Sequence, residues 1–352
     1  MSIATATTAA TPPTALQATP PRTLNYAQAA ALALEEAMRD DPSVVALGED
    51  LGRGGVFGQY RDSAGLPLAR RFGGERIIDT PISEAAIVGA AVGMALAGLR
   101  PVVELRVIDF ALCAIDELVN QAAKNRFMFG GQGRVPLVAR MPIGLWGCSA
   151  AQHSQSLEAW FTHIPGLTVV APSTPQDNYA LLHAALNSRD PVVYLEHKEL
   201  WGLRGEVALA GAHTDAAELG KAAVRREGSD LTVVTWSRTV HEALAAAETA
   251  SDAGIDVEVI DLRTLWPWDR DAVFASARKT GRVLVAHEAV QVSGFGAEIA
   301  ASVAEHTEAR VARLGAPRIP VGYGVLESEA RVERDRIGQA IARLAERPRG
   351  VD

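Results

Sequence analysis

The chain has 352 residues, 48% apolar and 22% charged, enough for about two packed domains, which excludes a disordered or fibrous polymer. Its 42 acidic and 34 basic residues leave a net charge of -8, which argues against nucleic acid as the main partner, because neutralising phosphates needs a surplus of Lys and Arg. Two cysteines, Cys113 and Cys148, outside any CxxC pair, build neither a disulfide framework nor a zinc site, so a reducing, cytoplasmic setting is expected.

Residues 1–22, rich in Thr, Ala and Pro, lack the basic start and apolar core of a targeting signal and are expected to be a disordered tail. Leu24 to Arg39 has helical apolar spacing and is followed by Pro42. Buried strands are expected at Val44–Leu47, Val102–Leu105, Val135–Val138, Thr168–Val170 and Val192–Leu195. The apolar run Ala85 to Leu99 is shorter than the roughly 18 residues of a membrane span. Thr174-Pro175-Gln176-Asp177 opens a helix that should run to about Asn187, with Thr as cap and Pro in the first turn.

Gly-rich sequence then suggests a linker over 204–220 between a first domain, 23–203, and a second, 221–346, with a tail at 347–352. The second domain alternates again: strands at Leu231–Thr235, Val257–Leu262, Arg282–Ala286 and near Val311, and helices at Val240–Ala253, Asp269–Ala277, Phe295–His306 and Val332–Leu344. The fold class is α/β, two parallel-sheet domains. Gly294-Phe295-Gly296 lacks the third small residue of a dinucleotide turn, and no P-loop, GxSxG or HExxH motif occurs.

The informative stretch is Arg76-Ile77-Ile78-Asp79-Thr80-Pro81-Ile82-Ser83-Glu84. A strand ends in a Pro turn, Ser83 is placed to cap a helix, and Glu84 falls in its first turn, where the helix dipole favours a carboxylate. Gly89, Gly93 and Ala97 then recur on one face, small enough for another backbone to approach. Taken alone, this also describes an Ala-rich core helix with a capping glutamate.

Glu84 followed by Gly89-Ala90 and Gly93-Met94 resembles the pyrimidine-side signature of thiamine diphosphate enzymes. With AGLRPVVE, AQHSQS, HIPGLTVVAPSTP, DPVVYLEHK, DLRTLWPWD and GFGAEIAA, the chain is similar from about Thr23 to Ala345 to beta subunits of the first component of 2-oxo acid dehydrogenase complexes. The resemblance implies a pyrimidine-binding thiamine diphosphate domain followed by a transketolase C-terminal-like domain. It implies that Glu84 faces the pyrimidine nitrogen, that Phe110 packs on the ring, and that His153 stabilises charge and assists acyl transfer to lipoamide. His163 also fits, in a structural role. Glu49 and Glu104 match acidic positions near the passage between two active sites, although solvated strand-end carboxylates explain them equally. A structural potassium ion would fall on Leu137, Ala185, Leu186, Ser188 and Asp190, where Ser188 departs from the family's usual acidic residue.

The chain lacks the Gly-Asp-Gly anchor that holds the cofactor's diphosphate through a divalent ion. The resemblance therefore implies an alpha subunit supplying the diphosphate and magnesium side, in a two-alpha two-beta heterotetramer that docks on a lipoyl-bearing acyltransferase core. The Arg-rich end, Arg331 to Arg349, is either part of that docking or a solvated helix face. A pyruvate dehydrogenase is the first expectation, acetoin dehydrogenase the alternative, and a non-catalytic scaffold or regulator of the same fold the alternative of another class.

Overall fold

The computed structural model describes residues 20–209 and 218–346. Most of the expected N-terminal tail, the middle of the expected linker and the 347–352 tail lie outside the described residues. The first lobe runs β1 (Arg22–Asn25), α1 (Tyr26–Asp40), β2 (Val44–Gly48), α2 (Ala69–Phe72), β3 (Ile77–Asp79), α3 (Glu84–Leu96) and β4 (Arg100–Glu104). It continues through α4 (Asn125–Met128), β5 (Val138–Ile143), α5 (Glu158–Thr162), β6 (Thr168–Val170), α6 (Pro175–Leu186), β7 (Val192–His197) and β8 (Arg204–Val207). The second runs β9 (Ala223–Arg226), β10 (Leu231–Thr235), α7 (Thr239–Asp252), β11 (Val257–Asp261), β12 (Thr264–Trp266), α8 (Arg270–Thr280), β13 (Arg282–Val290), α9 (Gly296–His306), β14 (Arg310–Ala316) and α10 (Arg334–Ala345).

Local chemistry sets several of these boundaries. Asn25 and Gln28 form a reciprocal capping box at the start of α1. Thr174 Oγ1 accepts from the Asp177 amide at 3.1 Å, and Pro175 opens α6, as its sequence predicts. Ser83 is a correction: its hydroxyl makes no cap hydrogen bond, and only its carbonyl enters α3, accepting from Ile87 at 2.9 Å. The strand expected from Val135 begins at Val138, because Pro136 brings no amide hydrogen and the Leu137 amide turns back to the Val135 carbonyl at 2.7 Å.

The first sheet has seven strands in the order β12-β6-β7-β5-β4-β2-β3, parallel except for β12. The second has five, β14-β13-β10-β11-β9, parallel except for β9. β8 lies within the expected linker but pairs antiparallel with β1, so the first lobe extends to Val207. β12 comes from the second half of the chain and adds an edge strand to the first sheet, so the two lobes share a sheet as well as a boundary.

Their cores also merge. One buried cluster runs from Val88, Val103 and Met141 of the first lobe to Val234, Ile260 and Ile299 of the second. α1 and α6 cover the other face of the first sheet, and α7 and α10 that of the second. Polar bonds cross the same boundary: Trp236 Nε1 donates to Glu158 Oε1 at 3.1 Å, and Arg225 pairs with both Asp177 and Asp261. Among the described residues, no helix is long and apolar enough to cross a membrane.

Candidate active site

Parallel strands β3, β2, β4, β5 and β7 end on the same side of the sheet, and the residues just beyond them are Thr80, Glu49, Arg106, Trp146 and Lys198. All five line one cleft of about 730 Å³, placed where open α/β sheets bind ligands, beyond the carboxyl ends of the strands. Glu84, Phe110 and His153 line the same cleft, so four of the five residues predicted for catalysis or cofactor binding, counting Glu49, converge there.

Glu84 is the first residue of α3, and its carboxylate is buried at the helix N-terminus, where the dipole favours negative charge. Glu49, beyond β2, is held above the usual carboxylate range by burial and by the charge of Glu84, against the pull of Arg106. Arg106 itself pairs with Asp50 at 2.5 Å. Phe110 stands on a 3-10 turn, Ile108–Ala114, and meets the His153 ring edge to face, with centroids 5.2 Å apart. His153 lies on the exposed β5–α5 loop.

Glu104 is placed elsewhere. It closes β4 inside the lobe and does not line the cleft: Gln59 Nε2 donates to it at 2.9 Å, and its other oxygen lies 3.6 Å from Arg140 Nη1. Arg140 is fully buried and makes its hydrogen bonds to Glu196, at 2.7 and 2.9 Å. Burial outweighs Arg140 and pushes the Glu104 carboxyl up to about 7.

At the expected potassium ligands every carbonyl has a donor within the chain. Arg100 Nη2 donates to Leu186 O at 2.6 Å and to Ser188 O at 2.7 Å, while Val192 N takes Leu137 O and Ser188 N takes Ala185 O. Ser188 Oγ donates to Asp190 O, and the Asp190 carboxylate pairs with Arg126. The Arg100 guanidinium thus holds two of these five oxygens.

Lys198, at the end of DPVVYLEHK, carries a signal that the sequence reading did not use: a cation immediately after a strand buried along its whole length. Its side chain is buried, and its ammonium donates to the main-chain carbonyl of His153. Next to it, His197 Nδ1 accepts from the Glu199 amide, so its proton sits on Nε2 and is donated to Glu288 of β13 at 2.9 Å. Burial pushes the Glu288 carboxyl up, but His197, the Leu145 amide and Arg238 outweigh it and hold it at about 2. Gly144 makes this crossing possible: at φ +86, a Cβ there would lie 2.0 Å from His197 Nε2.

The cleft thus offers one buried carboxylate, aromatic and aliphatic walls at Phe57, Val107 and Phe110, and a histidine at the Phe110 edge. That donor set suits an uncharged heterocycle with a nitrogen presented to Glu84. Among the described residues no group of three or more His, Cys, Asp or Glu side chains could hold a metal ion.

Residues 22–202 match the transketolase pyrimidine-binding domain, and residues 220–337 the transketolase C-terminal domain. The chain is 44% identical over 300 residues to an acetoin:2,6-dichlorophenolindophenol oxidoreductase beta subunit from Cupriavidus necator, covering 83% of this chain and 88% of that one. It is 41% identical over 331 residues to the 2-oxoisovalerate dehydrogenase beta subunit of Bacillus subtilis, covering 92% and 99%. A mitochondrial pyruvate dehydrogenase E1 beta-2 subunit from Oryza sativa subsp. japonica is 42% identical over 321 residues, covering 90% and 84%. A split-gene transketolase, solved as an inactive beta4 tetramer, shares the fold with a TM-score of 0.75 at 22% identity, covering 90% of this chain and 97% of that one. The chain therefore belongs to the beta subunits of the thiamine diphosphate-dependent first components of 2-oxo acid dehydrogenase complexes, built from transketolase pyrimidine-binding and C-terminal domains.

Proposed function

We propose that this chain is the catalytic beta half of a pyruvate dehydrogenase, which decarboxylates the 2-oxo acid and passes the acyl group to lipoamide. The observation that carries the reading is that Glu84, buried at the start of α3, opens into the same cleft as the Phe110–His153 contact. Thiamine diphosphate, when bound, supplies a nucleophilic carbon and an electron sink for decarboxylation. Glu84 would hold a proton between its carboxylate and the pyrimidine nitrogen, and Phe110 would cover the ring face. His153, exposed beside Phe110, would donate and accept a proton as the acyl group moves to the lipoyl sulfur.

The alpha subunit completes the site with the diphosphate and magnesium side, in a two-alpha two-beta assembly that hands its product to a lipoyl-bearing acyltransferase core in the cytoplasm. The likeness to the acetoin oxidoreductase beta subunit supports acetoin as the second substrate reading. Turnover of the reconstituted complex with pyruvate, branched 2-oxo acids and acetoin separates the readings. A scaffold without chemistry would have no need to bring Glu84, Phe110 and His153 into one cleft. The deciding variant is Glu84→Gln: the complex should assemble as before, and decarboxylation should fall by about 10²- to 10⁴-fold. Near-normal turnover would remove Glu84 from the mechanism.

A further inference from the structure

We propose that Lys198 is a positioning residue for His153, gripping the histidine's main-chain carbonyl from the end of β7 so that the imidazole stays against Phe110. The inference rests on the functional reading above and adds to it the device that aims His153.

The β5–α5 loop needs such a device. It runs exposed through Trp146 and Gly147, and Cys148 and Ala150 sit at φ 59 and 60, a left-handed region that side chains disfavour. His153 makes no side-chain hydrogen bond among the described residues; its ring has only the edge-to-face contact with Phe110. Two attachments flank that ring. Gln155 Nε2 donates to Asp109 Oδ1 at 2.7 Å, next to Phe110 in sequence, and the Lys198 ammonium takes the His153 carbonyl. The first attaches the loop to the turn that carries Phe110, and the second attaches it to the end of β7.

The environment of Lys198 suits this task. Asp109, Glu288 of β13, Glu327 of the 3-10 turn Gly324–Ala330, and Glu199 on its own turn surround it, and Glu49 and Glu84 share its cleft. None of these carboxylates forms an ion pair with it among the described residues, so its charge is directed to a carbonyl rather than neutralised by a partner. Burial pulls the amine down to about 8 against the pull of these acids. Below that pH the ammonium donates a charge-assisted hydrogen bond; above it, the weaker neutral amine remains.

The test uses the complex with its alpha subunit, thiamine diphosphate and magnesium. Decarboxylation is followed with pyruvate and an artificial electron acceptor, and acyl transfer with free lipoamide. Lys198→Met keeps the length of the side chain and removes the ammonium. It should cut acyl transfer at least tenfold more than decarboxylation and raise amide hydrogen exchange in residues 149–156. The wild-type acyl-transfer rate should decline as pH rises through about 8, and Lys198→Arg should carry that decline to higher pH, because a guanidinium stays charged. Equal losses in the two half-reactions, or unchanged exchange in 149–156, would overturn the proposal. His153→Ala separates the two inferences: if it transfers acyl groups normally, the functional reading of His153 fails, whereas loosening of 149–156 in Lys198→Met tests the grip itself.

Discussion

Glu104 shows how a residue's surroundings decide what a carboxylate does. Its carboxyl titrates at about 7 because it is desolvated, and the nearby Arg140 is committed to Glu196. An unfolded chain releases that proton near 4.5, so between about 4.5 and 7 the folded state holds a proton that the unfolded state has lost. The stability this side chain contributes is present at low pH and declines as pH rises through 7. Glu104→Gln imitates the protonated form and should therefore match the wild type in thermal unfolding at pH 5 and melt several degrees higher at pH 8. No gain at pH 8 would mean that Arg140 offsets the cost of ionising Glu104 and that its carboxyl is not held up. That Glu84, Phe110 and His153 line one cleft was legible through the resemblance, because each sits in a short segment that carries it. Lys198 and the fate of Glu104 were not, because both depend on which side chains meet across β4, β5 and β7, strands separated by dozens of residues.

Among the elements, the strands and long helices were legible from apolar runs and caps, and the departures have local causes. Pro136 delays β5, and Arg204–Val207 is drawn into the first lobe because β1 needs a partner for its amides. β12 could not be anticipated: three residues that pair across lobes leave no periodic signature. The turn after α6 carries the most specific consequence. Arg100, at the start of β4, reaches across the sheet to Leu186 and Ser188 and satisfies the helix-end carbonyls that a bound cation would otherwise take. The melting temperature of the assembled protein should therefore be the same in potassium chloride and sodium chloride at equal ionic strength. Arg100→Ala, which frees those carbonyls, should lower it in both salts. A rise of several degrees in potassium alone for the wild type would restore the ion to this turn.

For the whole molecule, the two lobes form one body through a shared sheet, a continuous core and ion pairs, and the functional reading proposed above makes the cleft one half of a site. The side facing Glu84 is finished: a buried carboxylate, an aromatic wall and a histidine. Among the described residues no group of three or more His, Cys, Asp or Glu side chains could hold the metal of a diphosphate, and in the functional reading proposed above that side comes from the alpha subunit. The surface of α3 is consistent with a partner completing it, because Ala86, Ala90, Gly93 and Ala97 stand exposed and a Cβ placed at Gly93 meets nothing within 4 Å. Small side chains leave that helix open to close approach by another backbone, and the loss of side-chain entropy on contact is minimal. Calorimetry with thiamine diphosphate and magnesium should accordingly show no saturable binding to the isolated chain up to millimolar cofactor, and tight binding once the alpha subunit is co-expressed. The diphosphate's charges need a metal and donors to leave water, and the pyrimidine contacts alone cannot offset that desolvation. Micromolar binding by the isolated chain would show that the described residues build a diphosphate site, and the division of the active site between two subunits would have to be abandoned.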